Sequence, residues 1–131
     1  MFRNPSRPPT ALTARRAPWI FPLLFLLSAC QMAPIIGADI EDKPLRDGVY
    51  TGSFSNGPNG AKVEVTIIDG RIEAVEVLRH FSSWKGWAVN ETIPRRIVAS
   101  QSTRVDVVSG ATNSSIVVMN AAHKAIEKAY E

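Results

Sequence analysis

The stretch "DVVSGATNSS", residues 106–115, gathers hydroxyl-bearing and very small side chains where a run of valines gives way to an alanine-rich segment with helical spacing. Two readings fit. A Ser or Thr in this position can act as a plain helix N-cap, its side-chain oxygen accepting a backbone N–H of the first turn. The same residues can instead form an anion seat. A helix N-terminus exposes unpaired N–H groups and the positive end of the helix dipole, and so receives a phosphate without a basic side chain. In that second reading Ser109, Gly110, Ala111 and Thr112 build the terminus. Gly110 permits close backbone approach and unusual dihedrals, Ala111 adds almost no bulk, and Ser109, Thr112, Ser114 and Ser115 offer hydroxyls.

Other chemistry has less to work with. His80 and His123 stand far apart and the chain has a single cysteine, Cys30, so no metal site is expected. Ser109, His80 and Asp106 can be written down as a hydrolytic triad, but no nucleophile-elbow context accompanies them.

The elements that must position the seat follow from periodicity. "DGVYTGSFS" (47–55) reads as a first strand, with Gly52 marking a bulge or a close approach, and "NGPNG" (56–60) as a loop. "AKVEVTII" (61–68) alternates, with Val63, Val65 and Ile67 on one face and Lys62, Glu64 and Thr66 on the other. Asp69-Gly70 is the pair favoured by a two-residue type I′ hairpin. "RIEAVEVLRH" (71–80) returns, its less regular phase leaving room for a bulge or for burial on both faces. Residues 81–90 are aromatic and irregular. "ETIPRRIVASQ" (91–101) predicts a short helix with Thr92 as cap, Pro94 in the first turn, and Ile93, Ile97 and Val98 as its stripe. "STRVDVV" (102–108) predicts another strand. The last element, 113–131, places Val118, Ala122, Ala125 and Ala129 at helical spacing, widened by Met119 and Ile126. Strands interspersed with helices in so short a chain predict an α+β fold around a small, mostly antiparallel sheet.

The motif resembles the flavinylation motif of the FMN-binding domain family, whose members include flavin subunits of sodium-translocating NADH:quinone reductase and of the Rnf complex. The family pattern is an Asp, two residues, Ser or Thr, then Gly-Ala-Thr or Gly-Ala-Ser, with a hydroxyl residue downstream. Asp106, Ser109, Gly110, Ala111 and Thr112 occupy those positions, and Ser114 and Ser115 follow. The likeness extends to "DGVYTGS" and "VEVTIIDGRIEAVEV", covering most of residues 47–130. It implies FMN as cofactor, joined through its phosphate to the Thr112 hydroxyl by a flavin transferase that uses FAD and magnesium. Thr112 is then an attachment point and not a turnover nucleophile. Asp106 is implied as a residue of transferase recognition or local positioning, against the plainer reading of a strand-end carboxylate. Ser109, Gly110 and Ala111 are implied to shape the phosphate loop. Trp84 and Trp87 offer stacking surfaces for a flavin ring, although an aromatic pair in an irregular segment more often forms a small core or lid. Lys85 between them offers a charge that could attract the flavin, although a solvated lysine is the plainer reading. The segment from His80 to Ile93 lacks a glycine-rich loop that would define a ring pocket.

The front of the chain has a different character. Residues 1–29 hold Arg3, Arg7, Arg15 and Arg16, no acid, and the apolar run "APWIFPLLFLLSA" before Cys30, which is the layout of a secretory signal. The run is short of the roughly 20 apolar residues that cross a bilayer, and it contains Pro18 and Pro22. "LSAC", Leu27–Cys30, resembles the bacterial lipobox and implies lipidation of Cys30, which also explains an unpaired cysteine in an exported chain. The expected organisation is a lipoprotein signal (1–29), a lipidated tether (30–44) and one domain (45–131), of a size that buries one modest core. Without the four leader arginines the 15 basic residues fall to 11 against 12 acidic, so the high pI of about 9.4 belongs to the leader and gives no support to nucleic-acid binding.

The expectation is an envelope flavoprotein, lipid-anchored and facing the extracytoplasmic side. It would take electrons from a membrane partner and pass them on through covalent FMN. A same-fold module that holds flavin reversibly or binds protein, without redox turnover, is the competing expectation.

Overall fold

The regular alternation at 61–68 sets the architecture in the computed structural model, which describes residues 32–40, 43–82 and 85–130. Strand β2 (Asn59–Ile68) buries Ala61, Val63, Val65 and Ile67 on one face and turns Lys62, Glu64 and Thr66 away from it. Asp69 (φ 52°) and Gly70 (φ 68°) both take left-handed dihedrals, as a type I′ turn requires. The Asp47 carboxylate secures this turn by accepting the N–H groups of Asp69 (3.0 Å) and Gly70 (2.9 Å). Strand β3 (Arg71–Phe81) returns with two register shifts, which leave Glu73 and Leu78 without cross-strand partners. These bulges account for its irregular apolar phase. Strand β1 (Gly48–Asn56) pairs with β2 across a turn at Gly57 and Pro58, so 56–60, expected as a loop, is largely strand end with Asn56 opposite Asn59. The sheet is antiparallel, in the order β1-β2-β3.

Two helices cover it, giving the expected α+β arrangement. Helix α1 (Gly86–Ser100) packs on β3, and α2 (Thr112–Glu127) lies across β1 and β2. Helix α1 starts five residues earlier than expected, which puts Pro94 in its interior and leaves Thr92 no capping role. An interior proline costs a helix about 3 kcal/mol. Burial of Val89, Ile93 and Ile97 on one side offsets that cost, at about 1.5–3 kcal/mol for each fully buried side chain. Trp87 falls in the first turn of α1 and is exposed, whereas Trp84 lies outside the described residues. Helix α2 approaches β1 so closely that a Cβ added to Gly52 would stand 2.1 Å from the Ala121 carbonyl oxygen, so Gly52 marks a close approach.

Two further expectations are corrected. The valine-containing segment 102–108 joins no sheet and forms only an isolated bridge, Ser102 to Asp39. Side chains satisfy much of its backbone instead. Arg96 donates to the carbonyls of Asp106 and Val107, Ser102 Oγ accepts from Arg104 N, and Ser115 Oγ accepts from Val108 N. Residues 32–40, expected as part of a tether, are fastened to the domain. Asn120 holds Ile36 N and Pro34 O, Asn113 Oδ1 accepts Ala33 N, and Ala38 exchanges hydrogen bonds with Thr103. Ala33 is buried, and the packed domain begins ahead of Leu45. This strap explains why α2 is apolar nearly all round, since its sides away from the sheet are also covered. Among the described residues no helix is long and apolar enough to cross a membrane. Cys30 and the leader lie outside the described residues.

Candidate functional site

The chain reaches α2 through a tight turn built by small residues. Gly110 takes φ 77°, a left-handed conformation that glycine adopts without cost. The Ala111 N–H then donates to Val108 O at 2.9 Å, and Ala111, buried, becomes the N-cap. An alanine has no oxygen with which to cap, and no side chain takes over that task. The plain N-cap reading of this stretch is therefore not realised. The first turn keeps unsatisfied donors and the positive end of a dipole worth roughly half an elementary charge. It contains no acidic residue that would compete with an incoming anion.

The hydroxyls divide between structure and site. Ser115 is fully buried, with its Oγ donating to Ala111 O (2.8 Å) and accepting Val108 N (3.0 Å). It is the clasp that closes the loop from 108 to 115. Ser114 is also buried. Thr112, the first residue of α2, is half-buried, and its hydroxyl takes no part in the loop's internal hydrogen bonds. Ser109 and Gly110 are exposed in the turn, and Asp106 is exposed two residues before Val108, with only its carbonyl held, by Arg96. The fold thus brings Ser109, Gly110, Ala111 and Thr112 to one helix mouth and sets Asp106 on the segment leading into it.

Replacing Ser115 with Ala would strand the Val108 N–H beside a buried position. The expected loss is about 1–3 kcal/mol in unfolding free energy. Urea denaturation of the flavin-free protein checks this, with the slope of the transition unchanged.

Two contributors reach the motif from outside it. Arg96, ten residues before Asp106, grips the motif from behind through two carbonyls, at 2.6 and 3.2 Å. Lys85, for which attraction of flavin charge stood beside the solvated reading, places its Nζ 3.1 Å from where a Cβ on Gly110 would stand. A cation preceding a helix and a glycine 25 residues later carry no shared local signal. The histidines stay apart in their bonding. His80 Nδ1 meets Asn90 Oδ1 at 2.6 Å, and His123 sits between Thr103 Oγ1 and Glu127. His80 thus pairs with an amide and not with a carboxylate, so the triad on paper is not assembled.

An uncapped helix mouth, a turn without a Cβ and a nearby ammonium together fit a phosphate ester. Comparisons with known proteins identify the family and its cofactor. The family model described as FMN-binding domain matches residues 58–127, more than half of the chain and including the whole motif. A protein of Treponema pallidum (strain Nichols), itself called uncharacterized, is 44% identical over 87 residues, a match that takes in 64% of this chain but only 24% of that protein. The crystal structure of the CPE2226 protein from Clostridium perfringens shares the fold, with a TM-score of 0.53 at 21% identity over 65% of this chain and 88% of that one. With its α+β fold and the motif at the mouth of α2, the chain belongs to the FMN-binding domain family, and its cofactor is FMN.

Proposed function

We propose that this protein is an extracytoplasmic electron carrier whose FMN is bound covalently, as a phosphoester, to Thr112. The observation that carries the reading is the division of labour at the mouth of α2. The Ser115 hydroxyl is consumed in holding the loop, whereas Thr112 presents its own beside first-turn N–H groups that no side chain caps.

In the attachment step Thr112 Oγ1 bonds to the phosphorus of the FMN half of FAD, the pyrophosphate bond breaks and AMP leaves. The hydroxyl proton is lost and no electron changes hands. The catalysis belongs to a flavin transferase with magnesium. The chain's own part is to hold the acceptor oxygen on a rigid turn and to present donors to the phosphate. FMN, once held, supplies one- and two-electron transfer, and the protein contributes orientation and solvent control. Asp106, exposed at the start of the motif, is assigned to transferase recognition.

The lipobox-like "LSAC" supports export and anchoring through Cys30. Outside the cytoplasm no flavin pool refills an empty site, so an ester keeps what reversible binding would lose. The electron donor is then a membrane redox protein.

Expression with and without a flavin transferase tests the attachment. With it, the denatured protein should fluoresce on a gel and gain the mass of FMN less one water. Flavin that dialyses away, and equal mass in both cultures, would instead favour a reversible flavin-binding module.

A further inference from the structure

We infer that Lys85 is the specificity residue by which this site distinguishes phosphorylated flavins from riboflavin. The inference rests on the placement of the FMN phosphate at the mouth of α2 and is independent of whether an ester forms there.

Lys85 stands immediately before α1, at the end of the connection from β3, and belongs to no part of the motif. Its side chain nonetheless crosses to the motif's turn. A Cβ built on Gly110 would lie 3.1 Å from Lys85 Nζ and 3.8 Å from its Cδ. Gly110 is required by its φ of 77°, and the Lys85 ammonium packs against it. The neighbouring cation Arg96 is committed to backbone carbonyls and serves the loop itself. Lys85 brings its ammonium to the glycine two residues ahead of Thr112.

A helix mouth offers an anion partial charges fixed in the backbone. A full positive charge beside it adds an attraction that only a phosphorylated ligand can use, because riboflavin ends in a neutral hydroxyl where FMN and FAD carry phosphate. The site is open to solvent, so the gain is that of a screened cation and not of a buried ion pair. The isoalloxazine ring is common to all three flavins, so loss of Lys85 should leave recognition of the ring untouched.

The test uses the Thr112→Ala protein, which removes ester formation, titrated with FMN and with riboflavin. Adding Lys85→Gln should weaken FMN about three- to ten-fold, in keeping with an exposed charge pair, and leave riboflavin unchanged. Lys85→Arg should restore most of the difference, and Lys62→Gln, on the outer face of the sheet, should do nothing. The salt dependence of FMN binding should also become shallower in Lys85→Gln. Equal weakening of both flavins would make Lys85 a structural residue and overturn the proposal, as would no change in either. A second measurement keeps Thr112 intact and follows the initial rate of loading by the transferase. Lys85→Gln should load more slowly at low salt, with the gap closing at high salt; equal rates at both would overturn the assignment. If no ester forms in any variant, the covalent reading fails while the FMN-to-riboflavin ratio still decides the role of Lys85.

Discussion

Thr112→Val should abolish covalent flavin altogether while leaving a folded domain. Valine has the shape of threonine without the oxygen, so no bond to phosphorus can form, yet the packing at the start of α2 is retained. Because Thr112 is half-buried and its hydroxyl supports none of the loop's internal hydrogen bonds, the thermal midpoint of the flavin-free protein should move by only a few degrees. Thr112→Ser should still be flavinylated, since a hydroxyl remains at the same backbone position. Ser115→Ala, by contrast, should lower stability yet keep its capacity for attachment. In-gel fluorescence and intact mass of the three variants, each expressed beside the same transferase, would separate them. Flavin persisting on Thr112→Val would place the attachment elsewhere.

Gly52→Val should give the largest loss of stability of any single change considered. A side chain at position 52 would meet backbone, not flexible side chains: a Cβ would stand 2.1 Å from Ala121 O and 2.4 Å from Ala125 N. Helix α2 must then move off the sheet or the strand must bend. Overpacking of this kind costs about 1–3 kcal/mol and sometimes more, and each kcal/mol lowers the melting midpoint by roughly 4–8 °C in a domain of this size. The consequence extends to function, because α2 carries Thr112 at its start. Gly52→Val should therefore load flavin poorly even below its melting transition. Thermal melts beside loading assays check this, and an unchanged midpoint would contradict the close approach of α2 to β1.

The local parts of this architecture were legible in the sequence because their causes are local. Asp69-Gly70 needs only its own dihedrals and the flanking alternation to declare a hairpin, and the apolar spacing of 113–131 declares a helix. The motif was legible because helix mouth, glycine turn and hydroxyls are contiguous. What escaped depends on partners distant in the chain. The strap 32–40 looks like a linker until Asn113, Asn120 and Thr103 claim its backbone from more than sixty residues away. The valines of 102–108 suggest a strand, but Arg96, Ser102 and Ser115 satisfy their backbone where a ladder was expected. Pro94 suggested a helix start because proline is most at home there, and only the buried face of Val89, Ile93 and Ile97 shows the helix already under way. For Lys85 the sequence offers only a charge between two tryptophans, and its approach to Gly110 comes from the fold.

The division of roles among neighbouring hydroxyls can be read directly by fragmentation mass spectrometry. Trypsin should cut after Arg104 and Lys124, giving one peptide, 105–124, that contains Ser109, Thr112, Ser114 and Ser115. In protein matured beside a flavin transferase, the fragment series should carry the FMN increment on Thr112 and nowhere else. An unmodified peptide, or an increment on one of the three serines, would contradict the account.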